Sequence, residues 1–331
     1  MRMTGVLAMV ALLCSEGPPI QTPTTSGDSI IYNPETEGLH PIILDTDIGT
    51  DVDDAYALVL AATSPELDLR SVTIVNNEVS LRARIAERIL YLLTHGAHVS
   101  QGARRSLDGT IPPGWRGNEG KGILLRDFAS CAWDPADVEI ADQVDERGCE
   151  TIVAVGQLTN VALALRRLPE SRRRDLTVYA MASSFNGFGF EAAEREHNSS
   201  CDPLALQLVL RSGAFVRLVG LNATRRTRMT RADVRSLRGL GTPLARELAA
   251  MHEAWFEVIG RSESPMHDPL TVAAVIRPSL LQFEPMRAEV DLESGLVAFF
   301  DDGEPNCEVA VDVDPEGFRE LFFSRLLAAV R

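Results

Sequence analysis

The chain is nearly without lysine: of 32 basic residues, only Lys121 is one. Schiff-base or P-loop chemistry would have to use that residue. Its surroundings, Gly117-Asn118-Glu119-Gly120-Lys121-Gly122, fit neither motif. Cysteine is also sparse. Cys14, Cys131, Cys149, Cys201 and Cys307 are odd in number and far apart, with no CxxC or Cys/His pattern. That excludes a zinc site and a disulfide framework and leaves isolated thiols. Positive charge is in deficit, 47 acidic against 32 basic side chains for a net charge of −15. A nucleic-acid partner wants a basic face, so none is expected. There is no internal repeat and no apolar run long enough to cross a bilayer, which argues against stable membrane insertion. What remains, 45% apolar and 24% charged residues over a length of 331, is ordinary globular composition with enough chain for a large core.

The amino terminus differs from the rest. Arg2 precedes the apolar run Val6 to Leu13, and then comes Cys14-Ser15-Glu16-Gly17-Pro18-Pro19, a pattern like a short signal peptide. Gln21 to Pro34 is rich in Thr, Ser, Pro and Gly and reads as a linker. Residues 1–40 are therefore expected to be leader and linker, with export to the periplasm or medium; a cytoplasmic protein with a frayed terminus is the alternative. Residues 41–331 are expected to form one domain. Strands are predicted at Ile42–Leu44, Ser71–Val75, from Val99, Ile152–Val155, Leu176–Met181 and Val216–Leu221. Helices are predicted at Asp54–Thr63, Leu81–Leu93, Thr159–Leu168 and Pro203–Arg211. This alternation predicts an α/β fold: a mostly parallel, Rossmann-like sheet covered by helices on both faces. Ala232 to Ile276 reads as mostly helical. Arg287–Leu292 and Leu296–Phe300 are predicted to pair as a short hairpin, followed by a strand over Asn306–Val313 and a closing helix over Glu316–Val330.

One segment stands apart. Asp45, Asp47, Asp51, Asp53 and Asp54 place five carboxylates within ten residues, directly after the first buried strand. In open α/β sheets, ligands bind at the carboxyl ends of strands. Clustered like charges need a compensating cation, and all-oxygen donors point to Ca²⁺ or Mg²⁺. The plainer alternative is a solvated loop whose acids favour the start of a helix. An EF-hand is excluded, because its Gly at the sixth position and Glu at the twelfth are missing. Asp45-Thr46-Asp47 superficially matches the Asp-x-Asp of haloacid-dehalogenase-like phosphatases, but that chemistry also needs a suitably placed lysine.

The segment resembles the signature of the nucleoside hydrolases, the inosine–uridine-preferring nucleoside N-ribohydrolase family, usually Asp-x-Asp-x-Gly-x-Asp-Asp-Ala. Here the spacing is two residues longer, and Asp53-Asp54-Ala55 is the matching end. Further similarities follow in chain order. They are the second strand from Pro65-Glu66 to Val75, Val155-Gly156-Gln157-Leu158-Thr159-Asn160, Met181 with Glu196-His197-Asn198 and Asp202-Pro203, and His267-Asp268-Pro269-Leu270.

The resemblance implies Ca²⁺-dependent hydrolysis of ribonucleosides to free base and ribose. Asp47, Asp54, Asp268 and the main-chain carbonyl of Val155 would be metal ligands, Asp53 the general base, and His267 the residue facing the leaving base. Asn77, Glu78, Met181, Glu196 and Asn198 would contact the sugar, Asp45 would hold the loop, and Asp51 would be an extra carboxylate of open role. It also implies a homo-oligomer. The family's Gly-Asn after the second strand falls on Asn77-Glu78, that of the sugar block lies around Gly189-Phe190 with Asn186 the nearest amide, and the His-Gly of a later loop appears as Arg116-Gly117. These departures keep two alternatives open: a Ca²⁺-loaded nucleoside or sugar binder without catalysis, and a hydrolase of a related N-glycoside.

Overall fold

The computed structural model describes residues 39–112, 119–125 and 135–331. The expected leader and nearly all of the linker lie outside these residues, as do Cys14, Cys131 and Arg116. The first half contains β1 (His40–Thr46), α1 (Asp53–Thr63), β2 (Leu67–Ile74), α2 (Val79–Leu92), β3 (His98–Gln101), α3 (Ala136–Asp145), β4 (Thr151–Ala154), α4 (Thr159–Arg167), α5 (Glu170–Arg174) and β5 (Thr177–Ala180). Next come α6 (His197–Cys201), α7 (Pro203–Leu210), β6 (Phe215–Leu218), α8 (Leu221–Thr224), β7 (Arg228–Thr230), α9 (Arg231–Gly239) and α10 (Pro243–Ile259). The chain continues through β8 (Glu263–Pro265), α11 (His267–Ile276), β9 (Leu281–Val290), β10 (Val297–Phe300), β11 (Cys307–Val313) and α12 (Pro315–Ala329).

Nine strands form one sheet in the order β10-β9-β11-β6-β5-β4-β1-β2-β3. All neighbours from β11 to β3 are parallel, and only β9 runs against β10 and β11. The expected hairpin therefore extends the main sheet. The predicted helical stretch 232–276 is interrupted by β8, which pairs antiparallel with β7 in a second, two-stranded sheet. Helix α3, ADVEIADQVD, was not among the predicted helices; it is short, and acids alternate with its small and β-branched apolar residues.

Period-two alternation places the core on both faces of the sheet. On β1, Ile42 and Leu44 join one apolar cluster and Ile43 joins the other. The first cluster includes residues of α1, α2, α10, α11 and α12; the second includes residues of α3, α4 and α7. Helix α1 is buried from Asp53 to Ala61. Burying each of its Leu and Val side chains contributes about 1.5–3 kcal/mol, and the two aspartates of its first turn sit at the end of the helix dipole that favours negative charge.

The chain visits β1, β2 and β3 outward in one direction, then returns to β4 on the other side of β1. The carboxyl ends of β1 and β4 therefore flank the point where strand order reverses, which is where crevices form in such sheets. Asp45 lies near the end of β1 and Asp47 just beyond it, and Val155 follows β4, with its N–H donating to the Asp45 carbonyl at 2.7 Å.

Candidate active site

Three buried carboxylates, those of Asp53, Asp54 and Asp268, converge with one oxygen each within 4.8 Å of the others. Asp53 and Asp54 open α1, and Asp268 lies in the first turn of α11. The two helix starts are tied together, because one Asp53 oxygen accepts the backbone N–H groups of His267 (2.9 Å) and Asp268 (3.2 Å). Asp54 accepts from the Thr46 hydroxyl. Asp47 accepts from the Asn76 side-chain amide at 3.1 Å.

Burial and mutual repulsion push the Asp53, Asp54 and Asp268 carboxyls well above the usual range. Asp51 is pushed up to about 7, first by burial and then by Asp54, and it accepts the Val52 N–H at 2.6 Å. An all-oxygen set this buried and this crowded fits a hard divalent cation, whose charge would let the acids ionise together.

Asp45 is fully buried and ties β1 to β2 and to the start of α4. One of its oxygens accepts from Thr73 (2.6 Å) and from the Asn160 amide (2.8 Å), and the other has no partner. Burial pushes it up to about 7 against those two bonds, with Asp47 adding to the shift. Gly102 makes room for Asn160, since a Cβ there would lie 2.2 Å from its amide oxygen. Gly156 does the same for Asp47, whose backbone nitrogen and Oδ1 would lie 2.9 and 3.1 Å from a Cβ.

Residues 42–320 match the family model described as inosine-uridine preferring nucleoside hydrolase. The chain belongs to this family. Accordingly, it is a hydrolase of N-glycosyl bonds. The pyrimidine-specific ribonucleoside hydrolases RihA of Salmonella newport (strain SL254) and Enterobacter sp. (strain 638) are each 33% identical to it. Each alignment takes in 86% of this chain, with 98% and 97% of the respective relatives. Among solved structures, a purine-preferring ribonucleoside hydrolase from Gardnerella vaginalis superposes with a TM-score of 0.78 at 28% identity, over 88% of this chain and 99% of its own. An inosine-guanosine nucleoside hydrolase gives 0.75 at 26%, over 87% and 99%.

The other residues expected at the nucleoside hydrolase site are placed as follows. Asn198 donates its amide to the carbonyls of Val155 (2.7 Å) and Met181 (3.0 Å), so these three form one buried group. Glu196 caps α6: one oxygen accepts from Asn198 N (2.7 Å), and the other from Ser199 N, Ser199 Oγ and Ser183 N. Asn77 is half-buried, and Glu78 is exposed with Arg104 at 3.8 Å. It is Asn76, one residue earlier, whose side chain reaches Asp47. Asn76 and Asn77 both have left-handed backbone (φ 75° and 48°), a conformation asparagine tolerates, and this turn sets their directions. His267 is half-buried, and its Nδ1 lies 2.6 Å from Thr224 Oγ1. Burial, then the charges of Arg225 and Arg228, push it down to about 4. Of the departing positions, Asn186 bonds Ser184 and Glu194, while Phe190 is exposed and packs edge-on to Phe300.

Sequence reasoning missed Thr46, Asn76, Arg82, Asn160 and Thr224 as site residues. Arg82 had a signal: it lies three residues before Ile85 and seven before Ile89, on the apolar stripe of α2, where a charge needs a reason.

Proposed function

We propose that the protein hydrolyses the N-glycosidic bond of ribonucleosides, giving free base and ribose, with Ca²⁺ as its cofactor. The convergence of Asp53, Asp54 and Asp268 in a family-matched fold carries this reading. Asp54, Asp268, Asp47 and the Val155 carbonyl would hold the cation. When bound, it supplies the charge that grips vicinal sugar hydroxyls and makes a nearby water more acidic.

The chain's own groups then have distinct tasks. Asp53 takes a proton from the water that attacks the anomeric carbon. The bond to the base nitrogen breaks as the sugar passes through an oxocarbenium-like state, and its electron pair leaves with the base. His267, held down to about 4, is uncharged at neutral pH. It serves as a hydrogen-bonding contact to the departing base rather than as a strong acid, with Thr224 fixing the ring. Asn198 joins the β4 and β5 ends beneath the sugar, and Asn76 orients Asp47.

A second reading, hydrolysis of a related N-glycoside, draws support from Glu78 and Glu196. The first is turned toward Arg104, and both oxygens of the second are engaged by protein groups. The residues ahead of β1 are proposed as leader and linker of an exported protein.

The test is ribose release by the purified full chain across a ribonucleoside panel, with calcium and with chelator. Release that chelation abolishes is expected. No release from any ribonucleoside in calcium refutes the proposal, and binding without release identifies a non-catalytic binder.

A further inference from the structure

Arg82 is 2% exposed, deep beneath the acid loop. A guanidinium at that depth is tolerated only when its donors are satisfied. Its Nε donates to the Asn76 carbonyl at 3.0 Å. Its Nη1 donates to the carbonyls of Asp47 and Ile48, the latter at 3.0 Å. Its Nη2 donates to Thr50 Oγ1 at 2.7 Å, with Glu119 Oε1 at 3.7 Å. Gly49, with φ 116°, turns the chain immediately after the two accepting carbonyls.

Two features give this arrangement its meaning. Arg82 holds Asp47 from both sides, gripping its backbone carbonyl directly and holding the backbone of Asn76, whose amide orients the Asp47 carboxylate. It also binds Thr50, which lies in the stretch that makes this loop two residues longer than the family signature. A longer loop has more conformations to lose and more backbone carbonyls to satisfy.

We infer that Arg82 is a positioning residue that shapes the lengthened loop so that Asp47 is presented for cation binding. It acts on Asp47 through the loop backbone, and its charge is a lesser influence on Asp54. The planar fork matters, because one ammonium cannot reach the two loop carbonyls, the Asn76 carbonyl and a hydroxyl together. The inference rests on the site being a Ca²⁺ site.

The experiment is calorimetric Ca²⁺ titration of chelator-treated full-length protein, with ribose release measured in parallel. Arg82→Met and Arg82→Lys should each weaken Ca²⁺ binding about tenfold or more, and saturating Ca²⁺ should restore kcat to within about threefold. Thr50→Val, which removes the hydroxyl that Arg82 binds and leaves the arginine in place, should weaken binding about threefold without changing the melting temperature of the metal-free protein. The double variant Arg82→Met/Thr50→Val should be no weaker than Arg82→Met within about twofold. Wild-type affinity in a folded Arg82→Met overturns the inference. If that variant does not fold, wild-type affinity in Thr50→Val overturns it. Wild-type protein that binds Ca²⁺ but releases no ribose refutes the proposed function and leaves the Arg82 assignment to be read from affinity. Wild-type protein that binds no Ca²⁺ overturns both.

Discussion

Replacing Asp53 separates its chemistry from its support of the fold. One of its oxygens accepts two backbone N–H groups at the start of α11, at 2.9 and 3.2 Å. Asparagine retains a carbonyl for those donors but cannot act as a base. Asp53→Asn should therefore lower kcat by about 10²–10⁴, or about 3–5 kcal/mol of transition-state stabilisation, with KM changed little. Asp53→Ala removes the acceptor as well and leaves two donors of a buried helix start unpaired, at a cost of about 1–3 kcal/mol each. Removing one carboxylate from a crowded trio also relieves repulsion, because the other members of the cluster raise the Asp268 carboxyl. In chelator, Asp53→Asn should thus melt at or above the wild-type temperature, while Asp53→Ala should melt several degrees below Asp53→Asn. The assays are ribose release at saturating calcium and calorimetric melting in chelator. A folded Asp53→Asn that keeps kcat within threefold of wild type would falsify the base assignment. Equal melting temperatures for the two variants refute the proposed role at the start of α11.

Further outcomes follow from the same geometry. Calcium at about one hundred times its Kd should stabilise the protein by about 2.7 kcal/mol, and an unchanged melting temperature on adding calcium to chelated protein contradicts that. Gly156→Ala puts a Cβ 2.9 Å from the Asp47 nitrogen and 2.8 Å from Val75 Cγ1, so it should weaken calcium binding and cost about 1–3 kcal/mol in urea unfolding. Wild-type calcium affinity in that variant removes the role given to Gly156. His252 is fully buried between Tyr56 and Ser264, with its pKa lowered by burial to about 3 from 6.5. Above pH 6.5 it is neutral whether folded or unfolded. As pH falls toward 3, only the unfolded chain gains its proton, so the folded state loses stability. The loss attributable to His252 at pH 5 is about 2 kcal/mol relative to pH 7. Urea unfolding should show a pH 7 to 5 loss smaller by that amount in His252→Gln, and identical losses in the two proteins refute the assignment.

Much of the site was legible because its acids are contiguous. Asp45 to Asp54 announce themselves by spacing after a buried strand, and His267-Asp268 opens a helix in a recognisable motif. Partners distant in the chain were not legible. Asn160 reaches Asp45 across 115 positions and Thr224 reaches His267 across 43, and neither residue type carries a local signal for such a contact. Asn76 and Asn77 show how narrow the margin is. They are adjacent and chemically identical, and only the left-handed turn decides that Asn76 faces Asp47. Arg82 is the same lesson on a helix, since periodicity marks it as inward-facing but cannot say that its donors close on the loop ahead of it.

By itself, the sequence determined the strand–helix alternation, the acid loop after the first strand and the family, because periodic apolar burial and clustered charge are local properties of a chain. The tertiary structure alone decided that an Asp53 oxygen ties the starts of α1 and α11 together. It alone decided that Glu196 spends its oxygens on a helix cap and that a buried arginine holds the loop. Those outcomes depend on which helix starts and strand ends meet where strand order reverses, and the packing of both sheet faces sets that meeting, not any single segment.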